Sequence, residues 1–129
     1  MGIILTLLWE QPQTLLGAIV LFFHWLCRLV ERVDFTDGRI FIQSHGRAVS
    51  LGLFVFYYAA SGVREHEYGH TFQSRWFGPL YLLLVGVPSV ARVFYSRLYR
   101  RFTGEYWMGY FDGWPEKQAD RLGGVRRDE

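Results

Sequence analysis

At 129 residues the chain is long enough for one domain and too short for a separate regulatory module. Half of its residues are hydrophobic and 19% are aromatic, but 20% are charged, which excludes a simple bundle of membrane-spanning helices. The net charge of +2 is too mild to argue for nucleic acid, and the single cysteine, Cys27, can form no internal disulfide.

The N-terminus is apolar from Met1 to Leu8 and is broken by Trp9-Glu10-Gln11-Pro12. From Thr14 to Val30 the run is apolar except for Thr14, His24 and Arg28. It is slightly short for a straight span of about 20 residues, but Pro12 and Gln13 extend it at the interface, so residues 12–32 are expected to form a membrane-anchoring helix. The rival reading is a buried core helix. A cleaved signal peptide is disfavoured, because no basic residue precedes the run and no small-x-small site follows it. Arg28 and Arg32 follow the run and Glu10 precedes it, which places the basic end in the cytoplasm. Within the run, Cys27 reads as a small hydrophobe and His24 as a hydrogen-bonded helix histidine.

Residues 33–58 turn β-prone. Val33 to Thr36 alternates, Asp37-Gly38 signals a hairpin turn, and Arg39 to Gln43 resumes the pattern. Ser44-His45-Gly46 offers a second turn, and Val49 to Tyr58 reads as a third strand, apolar on both faces. Gly52 within it either lets another backbone approach or marks a bulge. The expected fold class is therefore α+β, with a short antiparallel β-meander before a helix. Its edge strand would suit an extended substrate by strand addition.

The next helix should run from Gly62 or Val63 to Trp76 and stop at Gly78-Pro79. It carries His66-Glu67-Tyr68-Gly69-His70, the HExxH pattern. Residues four apart lie about 40° apart on one helix face, so His66 and His70 can offer imidazole nitrogens to one ion. Glu67 sits where its carboxylate reaches an activated water rather than the metal. After an apolar burst at Tyr81–Val85, Gly86-Val87-Pro88-Ser89 interrupts the chain, and Pro88 to Phe102 becomes an amphipathic basic helix. Arg92, Arg97, Arg100 and Arg101 occupy one half of its wheel and the aromatic residues the other. Such a helix suits either a lipid headgroup layer or a core-facing site.

An aromatic, Gly-rich loop, Thr103 to Trp114, leads to Pro115, which should open a helix ended by Gly123-Gly124. This helix carries Glu116-Lys117-Gln118-Ala119-Asp120, the ExxAD pattern. A hydrolytic zinc site needs three protein ligands and an open position, and His₂Glu is a standard set, so Glu116 is the candidate third ligand. Asp120, one turn later, would hold the outer N–H of a coordinated imidazole. If residues 79–95 crossed a bilayer, Glu116 would emerge opposite the histidines, so this segment is expected not to span. Each string alone has a plainer reading as a solvated helix face. Their occurrence together, in this order, favours the metal.

HExxH followed by ExxAD resembles the gluzincin metallopeptidases, most of all the membrane group of CAAX prenyl proteases and heat-shock membrane endopeptidases. The longer strings His66–Ser74 and Ala119–Val125 also resemble small uncharacterised bacterial membrane proteins and the metallopeptidase-like domains ending some polymorphic toxins. The likeness covers residues 45–125. It implies that Glu116 is a zinc ligand and Asp120 a residue behind the metal. The membrane peptidases place two spanning helices between the motifs, whereas only 45 residues separate His70 from Glu116 here.

The expected organisation is an N-terminal anchoring segment (residues 1–32), a zincin-like domain (33–125) and a polar, frayed tail (126–129). The expected function is membrane-associated, Zn2+-dependent endopeptidase activity with Glu67 as proton acceptor. Tyr106, Tyr110, His45 and Arg121 are the candidates for a donor to the oxyanion. Implied partners are a peptide or protein substrate and membrane lipid, not nucleic acid. The implied location is the bacterial cytoplasmic membrane, with the site on its cytoplasmic side. The alternative is a membrane-associated binding or scaffold protein with a structural or inactive zinc site, in which His45 would be the fourth ligand. A toxin-type peptidase delivered by a larger protein is a third reading.

Overall fold

A computed structural model describes residues 3–127. The architecture is α+β: five α-helices and one four-stranded mixed sheet among the described residues. Met1, Gly2 and the tail residues Asp128 and Glu129, for which an apolar start and a frayed end are expected, lie outside the described residues.

Helix α1 (Ile3–Trp9) and helix α2 (Gln13–Leu26) meet at a bend of 102° around Gln11-Pro12. The anchoring helix expected over residues 12–32 is thus shorter, because α2 ends at Leu26 and Arg28 adopts a positive φ of 57°. Residues 30–32 already belong to a strand. At 14 residues α2 falls short of the roughly 20 that a bilayer requires, and no single helix among the described residues is long and apolar enough to cross one. Val20 and Leu21 of α2 pack against the buried Ile42, Leu51 and Phe56 of the sheet. The His24 ring Nδ1 lies 2.9 Å from the Val20 carbonyl oxygen, to which it donates as an N–H, and the ring packs at a tilt against Phe56. Cys27 is exposed.

Strands β1 (Val30–Thr36) and β2 (Arg39–Ser44) form the hairpin announced by Asp37-Gly38, whose φ values of 52° and 75° fit a tight turn matched to strand twist. The third strand departs from the expected antiparallel meander. It divides into β3 (Val49–Leu51) and β4 (Phe54–Tyr57), which pair antiparallel with each other. Strand β4 inserts between β2 and β3 and runs parallel to β2, giving the order β1-β2-β4-β3. Gly52 explains the split: it sits at φ +61° in the turn, and a Cβ there would fall 2.1 Å from Thr14 Oγ1. The backbone that approaches this glycine is therefore the start of α2.

Helix α3 (Val63–Phe77) packs across β3 and β4 and ends where Gly78 turns to φ 52°. A 3-10 turn (Gly78–Leu80) and a π-helical turn (Leu82–Gly86) then bury Tyr81 and Val85. Gly86 and Pro88 do not break the chain's helical course, because Pro88 occupies the first turn of helix α4 (Val87–Thr103), where its missing N–H costs nothing. Helix α5 (Glu116–Gly123) follows Pro115 and closes with Gly124 in the left-handed conformation; the Val125 N–H donates to the Asp120 carbonyl.

Candidate metal centre

Helices α3 and α5 make the most extensive helix–helix contact in the molecule, and glycine permits it. A Cβ on Gly69 would lie 1.8 Å from the Ala119 carbonyl oxygen, and one on Gly123 would lie 1.8 Å from the Glu65 carbonyl oxygen. The two backbones therefore touch directly. Their contact brings the HExxH and ExxAD side chains into one buried cluster: His66, Glu67, His70, Glu116 and Asp120 are each no more than 7% exposed.

The order within the cluster follows from helical spacing. His66 and His70 share one face of α3, with ring centroids 4.8 Å apart. Both Nε2 atoms point at the same oxygen, Glu116 Oε2, at 2.7 Å and 3.1 Å. Both Nδ1 atoms are tied from behind: that of His66 to Asp120 Oδ1 at 2.7 Å, and that of His70 to Gln73 Oε1 at 2.7 Å. Asp120 is itself gripped by the Arg127 guanidinium at 2.7 Å and 2.9 Å, and Arg127 lies over the Phe111 ring. The second oxygen of Glu116 accepts a hydrogen bond from Ser89 Oγ at 2.5 Å.

The charges are strongly coupled. Burial alone would raise the Glu116 pKa, but hydrogen bonds from His66 and His70 outweigh it and hold the carboxyl far below its usual range. Burial would lower His70, yet Glu116 and Glu67 raise it to about 9. For Glu67 burial wins over the neighbouring imidazoles and pushes its carboxyl upward.

His66, Glu67 and His70 offer ligand atoms all within 4.8 Å of one another, a group that can hold a metal ion. The donor set fits that role. Outer hydrogen bonds fix both imidazoles so that each turns Nε2 inward, as histidine ligands require, and Glu116 adds a carboxylate oxygen between them.

Of the four candidate oxyanion donors, only Tyr110 lies beside the cluster. Burial raises its phenol pKa strongly, with the charge of Glu116 and a contact with Ser89 as further influences. Its ring meets Phe111 edge-to-face, and Phe111 meets His66 in the same way. Tyr106 is exposed beneath the Arg100 guanidinium. His45 is exposed and pairs with Glu31 at 2.7 Å, and Arg121 is exposed on α5. Gln73 and Ser89 escaped the sequence reading. Gln73 was within reach of it, since a residue three after His70 shares its helix face. Ser89 lies 27 positions from Glu116 and carried no local signal. No family model, curated protein or solved structure matches the chain.

Proposed function

We propose that the chain is a zinc-dependent metallopeptidase of the gluzincin type. The observation that carries this reading is the convergence of His66 Nε2 and His70 Nε2 on one oxygen of Glu116, with Glu67 buried alongside. Two imidazoles and one carboxylate are a set that zinc uses in hydrolytic sites, with a position left open. Zinc in such a site acidifies a water molecule and polarises the scissile carbonyl.

The protein's own groups do the rest. Glu67 accepts the proton as the water oxygen bonds to the carbonyl carbon. It then returns that proton to the amide nitrogen as the C–N bond breaks. Burial raises its carboxyl pKa, which favours the first, proton-accepting half of this exchange. Asp120 and Gln73 fix the imidazole orientations, and Ser89 engages the outer oxygen of Glu116. Tyr110, whose phenol is influenced by Glu116 and Ser89, is our candidate donor to charge developing on the carbonyl oxygen.

A closed structural site would need a fourth protein ligand, and His45, the residue considered for it, is engaged by Glu31 at the surface. The test is metal analysis of the wild type beside Glu116→Ala, with turnover on casein-like and membrane-protein substrates. Stoichiometric zinc lost in Glu116→Ala, together with zinc-dependent cleavage, supports the reading. Stoichiometric zinc without cleavage of either substrate supports the scaffold alternative.

A further inference from the structure

Helix α4 is 17 residues long and buries none of them. Helices of this length draw most of their stability from packing an apolar face, and α4 has such a face. Phe94 is 64% exposed and Phe102 80% exposed, with Tyr95 and Leu98 between them. Thirteen further large apolar side chains stand exposed along α1 and α2, including Trp25 at 67%. The two regions adjoin: Leu82, just before α4, packs on the same buried cluster as Val20 and Leu21 of α2. So much exposed apolar surface exceeds what a monomer in water usually carries.

Charge identifies the occupant. From Ile3 to Cys27 the only charged residue is Glu10, and it is fully buried. From Tyr68 to Gly104 there is no acidic residue at all, while α4 alone carries four arginines. Arg92 is committed to the Gly109 and Tyr110 carbonyls. Arg97 and Arg101 are exposed, and at about 100° per residue they border the apolar arc beside Phe94. An apolar strip edged by arginine and free of carboxylates complements an anionic headgroup layer over acyl chains. Neither α1 nor α2 reaches across a bilayer, and the bend of 102° turns one away from the other.

We propose that α1, α2 and α4 form a face that lies in the surface of an anionic lipid bilayer without crossing it. This surface is independent of the peptidase reading, because none of the exposed side chains that form it belongs to the metal cluster; Ser89, on α4, is only half-buried towards Glu116 and is no part of the face. The test uses the full chain with phosphatidylcholine vesicles, prepared with and without phosphatidylglycerol. The protein should sediment with the anionic vesicles and be released by alkaline carbonate. Phe94→Glu/Phe102→Glu should weaken sedimentation about tenfold or more. Arg97→Ala/Arg101→Ala should weaken it about fivefold per arginine at low salt, a difference that high salt erases. Because these side chains are exposed, circular dichroism and metal content measured on the same samples should match the wild type, which separates loss of lipid binding from loss of fold or metal. Three results would overturn the proposal: no sedimentation with either vesicle, retention in the bilayer after carbonate, or a dimer that Phe94→Glu/Phe102→Glu dissolves while neither protein binds lipid.

Discussion

Two buried polar clusters meet α3. Toward α5, two imidazoles and a carboxylate aim at one point, and their outer atoms are tied by Asp120, Gln73 and Ser89. Toward the N-terminus, the fully buried Glu10 pairs with Arg39 at 2.7 Å and accepts a hydrogen bond from Ser74 Oγ. Arg39 also donates to the carbonyls of Gly52 and Thr71, and Gln13 donates to Ser74 and to the Gly78 carbonyl. The second cluster points at backbone and holds α2, the β3–β4 turn and α3 together. The first cluster turns imidazole nitrogens, which can bind a metal ion, towards one carboxylate oxygen; the second is built on a guanidinium, which cannot, and which also donates to backbone carbonyls. Burial and charge alone do not distinguish them.

Substitutions should separate the two clusters sharply. Glu67→Gln should lower turnover by about 10²–10⁴-fold and leave zinc content unchanged, because it removes the proton acceptor and no inward-facing nitrogen. Wild-type cleavage by this variant would refute the peptidase mechanism. In the fastening, Arg39→Ala strands the Glu10 carboxylate in the interior and should cost about 3–5 kcal/mol in urea unfolding. The fraction that remains folded should still bind zinc stoichiometrically; loss of both together would mean the clusters act as one.

A finer distinction comes from the outer ties. Asp120→Asn should keep the fold and weaken zinc affinity or activity by about 10–100-fold, the usual effect of removing a group that orients a ligand. Unchanged affinity and turnover would make Asp120 only a partner for Arg127. Acidity offers a milder probe. In the metal-free protein His70 is raised from 6.5 to about 9, so its contribution to stability is complete below pH 6.5 and is lost as pH rises through about 9. The melting temperature of the metal-free protein should therefore fall across that window, whereas the zinc-loaded protein should not show the fall. The smallest effect belongs to the Arg64–Asp34 pair at 2.8 Å, whose side chains are 33% and 29% exposed. Asp34→Asn should cost under about 1 kcal/mol in urea unfolding and leave both clusters untouched.

What the sequence disclosed is what local spacing encodes. His66 and His70 at i and i+4, the Asp37-Gly38 turn, and the Pro115 and Gly124 boundaries of α5 each carry their instruction within a few residues. The hidden features depend on distant partners. Glu10 read as a charge beside an apolar run, yet its role is decided by Arg39, 29 positions away, and Ser74, 64 positions away. An apolar stretch cannot reveal by composition whether it spans a membrane or lies on a sheet, and α2 does pack on the sheet through Val20 and Leu21. The split of the third strand likewise turned on Gly52 meeting Thr14 across the fold.

The direct contact of Gly69 with the Ala119 carbonyl has a consequence for how this motif can vary. In HExxH the two middle positions are nominally open to any residue. Here Tyr68 faces Phe41 and Phe72 and donates its hydroxyl to Asp37, so a different side chain there would alter the packing and that one hydrogen bond on the sheet side. At residue 69 even one added methyl group would wedge α5 away from α3 and carry Glu116 with it. The separation between Glu116, the proposed third ligand, and the two histidines is thus written into a position whose side chain is a single hydrogen. The motif in this chain effectively reads with a fixed letter before its second histidine, and Gly69→Ala should loosen metal binding while every ligand remains in place.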